Sequence, residues 1–235
     1  MSRSKLLGAI FALPLMFAGA TSAQANIIGL TIDGSGSISA ADFLLQKQGY
    51  AAALTALLNT GGENAVGVWQ FASGVSPVYT LQTIDSVAKK NALIAAINGM
   101  VQLGSSTNIG DSITTATAAI TGFAGANCLA NPGKCLIDVS TDGEWNVGLN
   151  PSTATTLANA AGVRVNCLHV GSDGSCDFNG TGLDFNATTF AQFTAAITAK
   201  LSVELTKTPE PITMSLFGAG LLGAVALRRR KSKTA

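Results

Sequence analysis

Leu30-Thr31-Ile32-Asp33-Gly34-Ser35-Gly36-Ser37 is the stretch on which the fold turns. An apolar, β-branched run over 26–32 ends abruptly in three oxygen-bearing side chains at alternate positions, spaced by glycines. An Ala/Leu-rich segment follows at 40–58, with Asp42, Gln46 and Gln48 as its polar interruptions, and predicts a helix. Strand, polar loop, helix is the repeating unit of an α/β domain. Downstream, 65–71 and 75–81 read as two short strands around Ala72-Ser73-Gly74, a hairpin whose second strand is antiparallel at one edge. Helices are expected at 84–100, 109–123, 152–161 and 188–205, and strands at 135–140 and 163–170. The alternation predicts a doubly wound, mostly parallel sheet with helices on both faces and one antiparallel edge strand. In such sheets ligands bind beyond the carboxyl ends of the strands, where strand order reverses, so the loops after strands are where chemistry is sought.

Asp33, Ser35 and Ser37 can converge on one hard cation, because glycines between them let the backbone turn tightly. An EF-hand is excluded: its sixth loop position would be Ile38 and its twelfth Leu44. Neither phosphate-loop pattern, G-x-x-x-x-G-K-[ST] nor G-x-G-x-x-G, is present. On spacing alone, a ligand-free Gly-Ser turn accounts for the stretch equally well.

Two other segments bear on that choice. Gly104-Ser105-Ser106-Thr107-Asn108-Ile109-Gly110 precedes an expected helix, and Val139-Ser140-Thr141-Asp142-Gly143 ends an expected buried strand. Strand, Asp-x-Ser-x-Ser, helix, together with these two segments in this order, resembles the metal-ion-dependent adhesion site of von Willebrand factor A domains, with its threonine and aspartate loops. The resemblance spans about 27–205, and Ile137 to Gly143 is similar to the pattern of a bacterial secreted subgroup. It implies that the hydroxyls of Ser35, Ser37 and Thr107 coordinate an ion, with Asp33 and Asp142 acting through water. It also implies Mg²⁺ or Mn²⁺ as the ion and a protein partner that offers it a carboxylate. Mg²⁺ suits such a site because it wants six oxygens and keeps several waters.

Other residues carry smaller expectations. Glu144, Trp145 and Asn146 follow the aspartate loop and are read as a partner-binding rim. Asp138, inside an apolar strand, is read as a hydrogen-bonded buried carboxylate. Asp173, Asp177, Asn179 and Asp184 are read as a solvated acidic loop rather than a calcium site, and His169 as a packed core histidine. Cys128 and Cys135 bracket a turn-rich stretch, as do Cys167 and Cys176. Four cysteines allow three pairings, and the local one is favoured. A zinc site is the poorer reading, since there is no Cys-x-x-Cys and a single histidine.

Both ends read as addresses. Arg3 and Lys5, the apolar 6–20, and Thr21-Ser22-Ala23-Gln24-Ala25 have the three-part form of a signal peptide over 1–25. At the other end, 209–235 holds Pro209-Glu210-Pro211, an uncharged apolar stretch 212–227 and Arg228-Arg229-Arg230-Lys231. The stretch is marginal as a transmembrane helix, and the bases would stay cytoplasmic. This tail resembles the PEP-CTERM sorting signal of Gram-negative bacteria. The resemblance implies recognition by an exosortase, export, initial anchorage in the inner membrane, and a final place at the cell surface, outer membrane or extracellular matrix. The domain between, 26–208, holds seven basic and twelve acidic residues. That balance excludes a nucleic-acid binder that works by neutralising phosphates. The expected function is a non-enzymatic, metal-dependent adhesion module. A secreted hydrolase is the second reading, weakened because Ser35 lacks the Gly-x-Ser-x-Gly elbow and the sequence shows no nucleophile and base set around the single histidine, His169. A structural matrix protein with a purely structural metal is the third.

Overall fold

β1 (Asn26–Asp33) is buried along its whole length, as a strand with neighbours on both edges and helices on both faces must be. Its side chains alternate. Ile28, Leu30 and Ile32 enter the core beneath three helices, whereas Ile27 enters the core of the opposite face. The remaining strands are β2 (Asn64–Phe71), β3 (Val75–Thr83), β4 (Cys135–Thr141), β5 (Arg164–Val170) and β6 (Asp184–Ala187), in the spatial order β3-β2-β1-β4-β5-β6. All pairs are parallel except β2 with β3. The structure is a computed structural model that describes residues 25–131, 133–171 and 175–205. The signal peptide expected at 1–25 (all but its last residue), the tail 209–235 with its expected membrane helix 212–227, and Asp173 lie outside the described residues. Among the described residues no helix is long and apolar enough to cross a membrane.

Five helices cover the sheet: α1 (Ala40–Leu57), α2 (Val87–Asn98), α3 (Ile109–Thr121), α4 (Pro151–Ala160) and α5 (Phe193–Leu205). α1, α2 and α5 pack on one face, α3 and α4 on the other. Polar caps set their starts. Ser39 Oγ accepts from Asp42 N–H at 3.1 Å, and Asn150 Oδ1 accepts from Ser152 and Thr153 N–H just before Pro151. At the far end of α1, Lys90 Nζ donates to the carbonyls of Thr55 and Leu58, both at 2.8 Å, which satisfies two otherwise orphaned acceptors.

The doubly wound α/β architecture and the antiparallel edge strand are as expected. Pro77 sits in β3, where a missing N–H costs least because the outer side has no strand to pair with. Two expectations need correction. α2 is shorter than 84–100, because Ile84 is still joined to β2 through its N–H to Asn64 carbonyl bond (2.8 Å) and Ser86 caps the helix. The helix expected at 188–205 begins only at Phe193. Before it come a 3-10 turn at Phe190–Gln192 and the short parallel strand β6, so Asp184 lies in a strand and not in an acidic loop.

The four cysteines pair locally: Cys128 with Cys135 and Cys167 with Cys176, with Cα–Cα distances of 5.4 and 5.7 Å. Asp138 is a fully buried, bonded carboxylate. Its Oδ1 accepts from Lys200 Nζ at 2.7 Å and from the Tyr50 hydroxyl at 3.1 Å, and Lys200 also donates to Val139 carbonyl at 3.2 Å. Nearby, Glu204 Oε1 accepts from Asn166 Nδ2 at 2.8 Å. Burial first, then the negative Asp138, push the Glu204 carboxyl well above the ordinary carboxylate range, against the opposing pull of Lys200 and Asn166. Asp138 Oδ2 and Glu204 Oε2 are otherwise buried acceptors without a donor. A proton retained on Glu204 would supply one.

This arrangement has a signed consequence. A carboxyl whose folded-state value is raised favours folding most below its unfolded value near 4.5, and that contribution is lost as pH rises through the folded value. Urea unfolding as a function of pH should therefore show stability declining from acid toward alkaline pH on account of this group. Glu204→Gln should flatten the decline, and an unchanged profile would refute the protonated assignment.

Candidate metal centre

Strand order reverses between β1 and β4: the chain leaves β1 toward β2 on one side and β4 toward β5 on the other. The crevice above that reversal is where a ligand binds in such a sheet, and the ends of β1 and β4 deliver Asp33 and Asp142 to it. Ser35 Oγ lies 3.0 Å from Ser37 Oγ, and Ser37 Oγ donates to Asp142 Oδ1 at 2.7 Å. Hydroxyl, hydroxyl and carboxylate thus form one contiguous row. Asp33 sits beneath, fully buried, its Oδ1 accepting from Ser35 N–H at 2.8 Å and its Oδ2 from Thr141 Oγ1 at 2.6 Å.

Thr107, also buried, reaches the same end of the sheet by a different route. Its loop is tied to the Asp33 loop by Gly36 N–H to Ser105 carbonyl and Gly104 N–H to Gly34 carbonyl, each 2.8 Å. Gln102 adds Nε2 bonds to the carbonyls of Ser35 (2.9 Å) and Ile38 (2.7 Å). Ser105 holds a φ of 73°, the one positive value outside glycine among the described residues. A strained residue of this kind persists only where surrounding bonds over-determine it, and here the Gly36 bond does so. No side-chain hydrogen bond joins Thr107 to the serine row itself.

The aspartate loop is joined to the threonine loop by a reciprocal clasp. Thr107 N–H donates to Asn146 Oδ1 at 2.9 Å, and Asn146 N–H donates to Thr107 carbonyl at 3.1 Å. Of the three rim residues expected, Asn146 is therefore committed to holding Thr107. Glu144 and Trp145 are exposed, with Trp145 Nε1 donating to Gly148 carbonyl at 3.3 Å. Gly110 makes room for this loop: a Cβ there would lie 1.9 Å from Leu149 carbonyl oxygen. Asp111 completes the seam, its Oδ1 accepting from Leu149 N–H at 3.1 Å and its Oδ2 from Asn108 Nδ2 at 2.8 Å.

The donor set fits a small hard cation. Among the described residues no three His, Cys, Asp or Glu side chains gather in one place, so the oxygens on offer are hydroxyls with two carboxylates. Burial, ahead of its hydrogen bonds, pushes the Asp33 carboxyl up to about 6. Asp142 is raised by burial too, against the bond from Ser37. Both carboxylates are thus costly to ionise without a positive charge beside them, which a divalent ion supplies. Ser35, Ser37, Thr107, Asp33 and Asp142 are the residues that would hold it.

Sequence reading did not single out Gln46, Gln102, Thr141 or Asp111. Gln46 Nε2 donates to Asp33 carbonyl at 2.7 Å and its Oε1 accepts from Ser140 at 3.3 Å, so it braces the ends of β1 and β4 from α1. A buried glutamine on a helix face is a signal of sorts, but its partners are 13 and 94 residues away. His169 is a buried strand residue, as expected. Asn179 Nδ2 bonds Asp184 Oδ1, which ties those two side chains to each other.

Residues 26–209 match the family described as "Protein of unknown function (DUF1194)", and 207–231 match the PEP-CTERM protein-sorting motif. No curated protein matches the sequence. Among solved structures, the fold is similar to proximal thread matrix protein 1 from the mussel byssus with a zinc-occupied MIDAS motif (23% identity, TM-score 0.64, 77% of this chain and 48% of that one). It is similar also to a von Willebrand factor type A protein from Catenulispora acidiphila (16%, 0.63, 79% and 44%). A third is the pilus adhesin SpaC from Lactobacillus rhamnosus GG (15%, 0.62, 78% and 31%). The chain spans less than half the length of each of these structural relatives. At these identities the likeness is one of fold.

Proposed function

The chain belongs to the DUF1194 family, with a von Willebrand factor A fold and a PEP-CTERM tail, and from that premise we propose that it is an exported, non-enzymatic binding module whose partner engages a divalent cation. The observation that carries the reading is the contiguous row Ser35, Ser37, Asp142 over buried Asp33 at the strand reversal. Ser35, Ser37 and Thr107, with Asp33 and Asp142, would hold Mg²⁺ or Mn²⁺. Such an ion keeps enough positive character to accept a carboxylate from a protein partner. The zinc-occupied site of the mussel matrix protein and the adhesin role of SpaC support a binding function over catalysis.

Orientation supports the same reading. α5 ends beside the start of β1, where Asn26 Nδ2 donates to Glu204 carbonyl at 3.4 Å. Asp33 closes the opposite end of β1. The described chain therefore ends, at Leu205, at the pole opposite the cation site. The final location is the cell surface, outer membrane or matrix.

The test measures binding and folding together. Immobilised exported chain should retain protein from the extracellular matrix of its own cells in Mg²⁺, lose it in chelator, and lose it in Asp142→Ala while the melting temperature stays near wild type. Full retention by folded, metal-free protein would rule the mechanism out. Loss that merely tracks unfolding would favour the structural-metal reading.

A further inference from the structure

Ten large hydrophobic side chains are exposed among the described residues, and four of them, Val101 (81%), Leu103 (49%), Trp145 (37%) and Val147 (36%), lie on the two loops that carry Thr107 and Asp142. The loops are not free to fold these groups away. Gln102, between Val101 and Leu103, is anchored to Ser35 and Ile38 carbonyls, and Asn146, between Trp145 and Val147, is anchored to Thr107. In both cases the polar residue turns to the metal loops and its apolar neighbours are left outside. The Trp145 N–H is satisfied within its own loop by Gly148 carbonyl, so the ring offers a partner apolar surface and asks no hydrogen bond of it. Exposed apolar side chains, an aromatic among them, are the material of an interface core.

The charges on and beside the same loops are negative. Glu144 is exposed and Asp42 stands on the exposed first turn of α1, while the base of that helix, Lys47, donates to the carbonyls of Asn98 and Met100. Beyond the ion, a strongly acidic ligand would meet like charge. We infer that the loops around the cation select a protein segment in which a single carboxylate is flanked by apolar side chains, the carboxylate meeting the ion and its neighbours packing on Leu103, Trp145 and Val147. This rests on the proposed metal site and adds to it what the partner looks like.

Two dye-labelled, end-blocked peptides test it, each with one central glutamate, flanked in one by leucine and phenylalanine and in the other by serine and asparagine. Fluorescence anisotropy with the exported chain in Mg²⁺ should show the apolar-flanked peptide binding about tenfold or more tightly, as for loss of an aromatic anchor. Trp145→Ser and Leu103→Ser should each remove most of that preference while Mg²⁺ affinity, measured separately, is unchanged. Equal binding of the two peptides, no binding of the apolar one, or a preference that survives both substitutions overturns the inference and leaves the metal site standing. Absence of Mg²⁺ binding in wild type overturns the metal site and the inference with it.

Discussion

Lys200→Met is expected to cost about 3–5 kcal/mol of folding stability, the usual consequence of stripping one partner from a buried ion pair. Lys200 and Asp138 are both fully buried and 2.7 Å apart, with Glu204 adding a second carboxyl to the same pocket. Without the ammonium, Asp138 Oδ1 keeps only the Tyr50 hydroxyl, and its charge has no compensation. A loss of that size is a large share of the 5–15 kcal/mol that holds a typical domain together. Urea unfolding measures it, and Lys200→Met with Asp138→Leu should recover much of the loss, because no charge is then stranded. A single-variant cost under about 1 kcal/mol would mean that water reaches the pair.

The second large effect concerns the ion. Mg²⁺ at about 100 times its dissociation constant should raise the stability of wild type by about 2.7 kcal/mol, since it binds only the folded site. Ser35→Ala should abolish that gain, because Ser35 has no substitute in the row and its backbone N–H already serves Asp33. Asn146→Ala should keep a reduced gain, as it loosens Thr107 without removing an oxygen. About 10–100-fold in affinity is the usual cost of such an outer partner. Equal stabilisation of wild type and Ser35→Ala would place the ion elsewhere.

Much of this was legible in the chain itself. β1, β4 and the strand–loop–helix order show because buried parallel strands are nearly continuous apolar runs, and the Gly-spaced oxygens of 33–37 interrupt one at its carboxyl end. Glu144 and Trp145 lie exposed after Asp142. β6 was hidden because Asp184 and Asn186 are poor strand formers. That strand exists through pairing with β5, aided by Leu183 N–H to Asn166 Oδ1 at 2.9 Å. The braces were hidden for a related reason. Gln46, Gln102 and Asn146 bond to loops far from them in sequence, and no local pattern distinguishes a polar side chain with a distant partner from one in water. Lys200 and Glu204 are charged residues of a helix, yet both point into the core, where Asp138 and Asn166 meet them, and no local pattern marks them.

Titration calorimetry of Mg²⁺ into the exported chain tests the central claim most directly. The account predicts one ion per domain in wild type, with affinity reduced by more than the roughly 100-fold upper cost of losing an outer partner in both Ser35→Ala and Thr107→Ala. Unchanged binding in both variants would contradict it.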